Sequence, residues 1–195
     1  MGKFCSFMSS YKDKIEMKPK FKLILPLILM GCAQAQINTP PITVTPNDRA
    51  GAVGVDVYAR ARSQGNPVPR FRGQDTVQVR AFGQGENGRA ELTGVSCKLD
   101  SGLYTASFAT PANVVVPDYG ANSPALFVRC EIGTQSGSST VNVVNVTAQQ
   151  RQSGAIGTGL LGAIIIGAVN AAATDNETDD FAYPPITVQL RDTSD

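Results

Sequence analysis

Apolar and polar residues alternate over several short stretches of the chain. Val53, Val55 and Val57 alternate with Gly54, Asp56 and Tyr58; Val77, Val79 and Ala81 with Gln78 and Arg80; Val95, Cys97 and Leu99 with Ser96 and Lys98. The same period runs through Leu126, Val128, Cys130 and Ile132, begins again at Val141 and Val143, and returns in Ile186, Val188 and Leu190. A period of two turns one face of each stretch to a core and the other to solvent, so these stretches are predicted strands. Clusters of Gly, Ser, Asn, Asp and Pro at 63–67, 83–88, 100–102, 117–124 and 133–138 punctuate them as turns. The expected fold is mainly β. It is an antiparallel β-sandwich, immunoglobulin-like or similar, of about seven strands over residues 50–148, with one Gly/Ala-rich hydrophobic helix near the C-terminus.

Two apolar runs depart from this period. The first lies near the N-terminus. Residues 17–22 are basic, 23–30 are eight apolar residues, and 31–36 are mostly small. That order is the order of a bacterial secretion signal, and the run is too short to span a bilayer, which takes about 20 apolar residues. Residues 1–31 are therefore expected to be a signal peptide. Met17 is read as the natural start, because 1–16 place five charges ahead of the basic region. Two cleavage sites compete. Leu29-Met30-Gly31-Cys32 reads as a lipobox, with Cys32 acylated and the chain anchored to a leaflet. Ala33-Gln34-Ala35 reads as an A-x-A site, which would discard Cys32 and release a soluble protein. The cysteine placed directly after the apolar run favours the first. Ala33, rather than Asp, follows Cys32, which by resemblance to enterobacterial sorting points to the outer membrane. Residues 32–49, with Pro40, Pro41 and Pro46, read as a Pro/Thr-rich tether.

The second run, 153–174, contains no charge. Small residues recur at every fourth position: Ala155, Gly159, Ala163, Gly167 and Ala171. On a helix they form one stripe that admits close approach of another helix, as in small-xxx-small membrane packing. This glycine-zipper helix is expected to contact membrane lipid, a second copy or an envelope protein. Residues 175–195 read as an acidic turn and a final strand. An isolated strand is unstable, so the strand is expected to return to the sandwich.

Composition narrows the chemistry. The chain has 195 residues and no histidine, which removes Ser-His-Asp and Cys-His catalysis and histidine metal sites. Beyond Cys32 the mature chain has only Cys97 and Cys130, an even pair that in an exported protein reads as one disulfide. Both lie on inward phases, and a bond between facing strands of a sandwich suits that placement. Two thiols without histidine do not complete a zinc site, so no metal and no cofactor is expected. Residues 83–88 match G-x-G-x-x-G, but a strand and not a helix follows, so the match reads as a hairpin loop. No catalytic spacing is found, and the protein is expected not to be an enzyme. The mature chain carries eleven basic and fourteen acidic residues, net −3, so nucleic acid is not an expected partner. Arginines concentrate early in the mature chain, and Arg60, Arg62, Arg70, Arg72 and Arg80 are candidate contacts for an anionic surface.

The run from Cys97 to Tyr104 is a cysteine strand ending in a glycine turn. Thr110-Pro111 leads into Val114, Val115 and Val116, and a second cysteine strand, 126–133, again ends in glycine. Tyr183-Pro184-Pro185 with a short β run follows the zipper. This order resembles a group of proteobacterial envelope lipoproteins of unknown function, which have a two-cysteine β domain followed by a glycine zipper. The resemblance covers roughly residues 90–190. The chain departs from it in a longer insert at 119–124 and in the acidic stretch after the zipper. More distantly it is similar to outer-membrane lipoproteins with two glycine-rich helices, of which it has one. The resemblance carries no assigned activity. The function expected is that of a non-catalytic outer-membrane lipoprotein, a structural or binding module whose zipper serves membrane or self-association. The alternative is a soluble periplasmic accessory subunit or inhibitor, freed by cleavage after Ala35.

Overall fold

In the computed structural model, residues 34–86, 88–156 and 175–193 are described, without the side chains of 152–156. The chain divides into Met1–Gln34 and Ala35–Asp195, and the second unit is described below. Its strands are β1 (Ile42–Thr43), β2 (Thr45–Pro46), β3 (Gly73–Gly85), β4 (Gly88–Leu92), β5 (Ser96–Asp100), β6 (Tyr104–Ala109) and β7 (Ala112–Asp118). They continue with β8 (Leu126–Ile132), β9 (Gln135–Val141), β10 (Val144–Asn145), β11 (Phe181–Ala182), β12 (Ile186–Gln189) and β13 (Arg191–Asp192). Helix α1 (Ala59–Ser63) precedes β3, and α2 (Val146–Ile156) follows β10.

The fold is mainly β, with predominantly antiparallel pairing. The first sheet has the order β1-β7-β3-β12, with β4 pairing the far half of β3; the second has the order β13-β9-β8-β5-β6-β2. Period-two burial brings the inward rows of both sheets into one cluster. Val77, Val79, Val114, Val116, Ile186 and Val188 come from the first sheet, and Leu99, Tyr104, Phe108, Leu126 and Val128 from the second. The final strand returns to the sheets, as expected, and pairs with β3.

Both terminal segments switch sheets. Residues 42–43 pair with β7 and 45–46 with β6, while 186–189 pair with β3 and 191–192 with β9. The pairings with β7 and β3 are parallel, which departs from the all-antiparallel expectation. A segment entering from outside the sheets has no hairpin to dictate its direction. The tether expected over 32–49 is likewise structured over 42–46, with Val44 buried 3% exposed between the two pairings.

Three further features differ from the sequence reading. No strand forms at 53–57: Val53 bridges Asp56 in a tight turn, and Gly54, with φ +59°, reverses the chain, leaving Val53 72% exposed while Val55 is buried. The Gly/Ser cluster at 133–138 is largely strand β9, since Gly137 lets the crossing C-terminal segment pass against it. Helix α2 begins at Val146, inside the range expected to be sandwich; the zipper positions Gly159, Ala163, Gly167 and Ala171 lie outside the described residues, as does the side chain of Ala155. The loop at 83–88 is a hairpin, with Gly85 opposite Gly88.

Cys97 and Cys130 stand directly opposite each other on β5 and β8, with Sγ atoms 1.98 Å apart and Cα atoms 4.1 Å apart. The bridge joins adjacent strands of one sheet rather than facing strands of two. Residues directly opposite in a narrow antiparallel pair already bring their Cβ atoms together.

A Cβ at Gly137 would collide with the Gln189 carbonyl, whose carbon would lie 2.9 Å away. Gly137→Ala is expected to lower the urea midpoint, with a loss of about 1–3 kcal/mol. At Gly85 the nearest atom to an added Cβ is 3.5 Å away, so Gly85→Ala should leave the midpoint close to wild type. The disulfide closes a separation of 33 residues, and its reduction should cost about 3–4 kcal/mol in the same measurement.

Candidate functional site

Directional bonds among polar groups gather at two junctions of this unit, one around Ala35 and one around Asp179. At the N-terminal junction, Arg80 lies on the outward phase of β3 yet is only 9% exposed. The backbone of Ala35 covers it. The Ala35 N–H donates to Glu91 Oε2 at 3.0 Å, and the Ala35 carbonyl accepts from Arg80 at 3.0 Å. Arg80 and Glu91 are paired with each other, and the Arg80 Nε–H donates to Gln78 Oε1 at 3.0 Å. One peptide residue is thus held at its donor and its acceptor by an ion pair of low exposure, where charge-assisted bonds are strong.

At the second junction, β10 and β11 pair antiparallel, Val144 opposite Ala182 and Asn145 opposite Phe181. The chain leaves through α2 and comes back at Asp175, next to where it left. Asn145 caps α2: its Oδ1 accepts from the Ala148 N–H at 2.7 Å. Its Nδ2 donates to Asp179 Oδ2 at 2.7 Å. Asp179, with no exposed surface, also accepts from the Asp175 N–H at 2.9 Å and pairs with Arg151. Arg72 donates to the Asp179 carbonyl at 3.0 Å. The Asn145 side chain, then the backbone bond with Asp175, and then the Arg151 guanidinium hold the Asp179 carboxyl below the usual carboxylate range.

The five candidate arginines do not form one array. Arg62 pairs with Asp56 at 2.6 Å and donates to the Pro69 carbonyl at 2.7 Å. Asp56 is 7% exposed and also accepts from the Tyr119 hydroxyl at 3.2 Å. Burial raises the Tyr119 pKa, so that hydroxyl remains a donor. Arg72 and Arg80 serve the two junctions. Arg60 and Arg70 are exposed. Arg70 and Arg72 line a cleft of about 440 Å³ with Tyr119, Asn122, Asn176 and Glu177. Cys32 lies outside the described residues. Among the described residues, no three potential metal ligands cluster, and no helix is long and apolar enough to cross a membrane.

Sequence reasoning missed Ala35, Glu91, Asn145 and Asp179. The cap at Asn145 went unread because residues 50–148 were expected to be sandwich, whereas α2 begins at Val146. Asp179 was hidden in an acidic run whose members look alike.

The depressed Asp179 pKa fixes the sign of a pH effect. The stability Asp179 lends to the neck is present above the unfolded carboxylate value of about 4 and is lost as pH falls from there through the lower folded value. Amide exchange at Val146 and Ala148 should therefore rise on acidification, ahead of exchange in β5 and β8. Asp179→Asn should raise it already at neutral pH.

Compared with known protein families, curated proteins and solved structures, the chain finds no match.

Proposed function

We propose that the protein is a non-catalytic bacterial envelope lipoprotein, acylated at Cys32 and located at the outer membrane. Its unit is a β-sandwich, immunoglobulin-like in outline, that works as a structural or binding module. It carries the glycine-zipper segment as an insert for membrane or self-association. The observation that carries this reading is the seating of Ala35. Cleavage before Cys32 keeps Ala35 on Arg80 and Glu91. Cleavage after Ala35 removes the residue whose N–H and carbonyl the Arg80–Glu91 pair binds, and exchanges those charge-assisted bonds for water. The seat therefore favours the lipoprotein over the soluble accessory subunit or inhibitor. Two further observations support it. A Cys97–Cys130 bond belongs to an oxidising compartment. The insert leaves and returns through one clamped neck, which suits a segment presented outward from a finished β unit.

Mass spectrometry of the mature N-terminus tests the reading. The expected product begins at acylated Cys32, and Cys32→Ser should move the protein from the membrane pellet to the soluble fraction. A soluble wild-type chain beginning at Gln36 would establish the alternative.

A further inference from the structure

We propose that the outer face of the first sheet rests on the lipid bilayer, because the seat of Ala35 on Arg80 and Glu91 reduces the lipid leash to three residues. The proposal rests on the lipoprotein reading of Cys32 and adds an orientation to it. Ala35 stands three residue steps after Cys32, with only Ala33 and Gln34 between them, a reach of at most about 10 Å. An acylated residue sits at the level of the headgroups, so Ala35 lies within that reach of them. Ala35 covers an outward residue of β3, so the face brought down is the outer face of this sheet.

The chemistry of that face agrees. Its exposed side chains around the seat are Gln74, Thr76, Gln84, Arg89, Thr187 and Gln189: amides and hydroxyls with one guanidinium. The one carboxylate on the outward positions of β3, β4 and β12 is Glu91, already paired with Arg80. Donors without free carboxylates suit phosphodiester headgroups. The outer face of the second sheet is different. Lys98 stands opposite Arg129, and Glu131 and Asp100 flank them. Exposed Glu131 would meet an anionic surface unfavourably.

An independent observation points the same way. Arg72, just before β3, holds the return limb of the apolar insert through the Asp179 carbonyl. Arg72 and Arg80 lie eight residues apart along one extended segment, about 27 Å. The lipid leash, held at Arg80, and the return limb of the insert, held at Arg72, are thus fastened along one extended segment that runs into β3.

The chain has no tryptophan, so a single introduced one is an unambiguous reporter. Thr187 is exposed and stands opposite Arg80 in the first sheet, and Ser138 is exposed and stands opposite Arg129 in the second. Full-length lipidated Thr187→Trp and Ser138→Trp proteins would be placed in vesicles of phosphatidylethanolamine and phosphatidylglycerol carrying a spin-labelled headgroup lipid. Quenching is expected to be several-fold stronger for Thr187→Trp. A flexible Gly/Ser spacer of about a dozen residues inserted after Gln34 should abolish that difference. Equal quenching at both sites, stronger quenching for Ser138→Trp, or a difference that survives the spacer overturns the proposal while leaving acylation intact. Mass spectrometry of the same samples separates the two failures, because a chain without acyl groups overturns the lipoprotein reading and the orientation together.

Discussion

Two sheets that share one core leave lateral edges, and each side of this unit is closed by a terminal segment that belongs to both. An uncovered edge strand offers unpaired N–H and C=O groups, a template for unwanted pairing. Residues 42–46 pass from β7 to β6, and 186–192 pass from β3 to β9. Buried Val44 and Leu190 mark the crossings. Much else follows. The crossing strand at 190 needs Gly83 and Gly137 beneath it, because a Cβ at either would meet Gln135, Leu92 or the Gln189 backbone. The N-terminal segment, bound to the far side of β7 from Ile42, reaches Arg80 only by crossing the outer face of the first sheet. That route puts Ala35 where the ion pair can hold it.

The junctions at Ala35 and between Asn145 and Asp175 pose a second problem. Hydrophobic burial holds an element that packs inward, but it offers nothing to a segment that leaves the core. Its points of departure have to be fixed by directional bonds. Both junctions are built this way. Arg80 and Glu91 bind the donor and acceptor of one residue, and Asp179 gathers Asn145, Arg151 and the Asp175 N–H. Buried ion pairs add little net stability over apolar packing, yet breaking one strands a charge. Such pairs suit a junction whose task is to define a position. The concentration of arginine that suggested an anionic surface is explained in good part by this internal work, since Arg62, Arg72 and Arg80 all bind chain segments.

The rows Val77–Val79–Ala81, Cys97–Leu99, Leu126–Val128–Cys130 and Ile186–Val188–Leu190 were legible because each has one buried face and a strict period. Strand β9 was not, since its row of Ser, Gly and Thr has little apolar signal and its glycine answers to a neighbour 52 residues away. The alternation at 53–57 misled because a positive-φ glycine turns the chain, and period alone does not reveal a reversal. Ile132 continued the apolar phase of β8 and is nevertheless 39% exposed, beyond the last core layer. The cysteine pair could be read from count and phase, whereas its placement on adjacent strands needed the register. The junctions were illegible for a general reason. Their partners are far apart in sequence, the backbone atoms of Ala35 carry no side-chain signature, and the Asp179 carboxylate stands in a run of similar acidic residues.

The neck also limits what the apolar insert can do. A segment that starts and ends at one junction crosses a bilayer an even number of times or not at all. Between Asn145 and Asp175 there are 29 residues, including the 11 of α2. Two helical crossings take about 40 apolar residues before any turn. The insert is too short for that, so the membrane contact proposed for it would be confined to one leaflet or to its surface. On the proposed reading, the small residues at every fourth position of a segment that stays in the leaflet it entered would remain open to a second copy held on the same surface. The two roles proposed for the insert, membrane contact and self-association, would then be compatible, because a bilayer would raise the local concentration of the chains that pair.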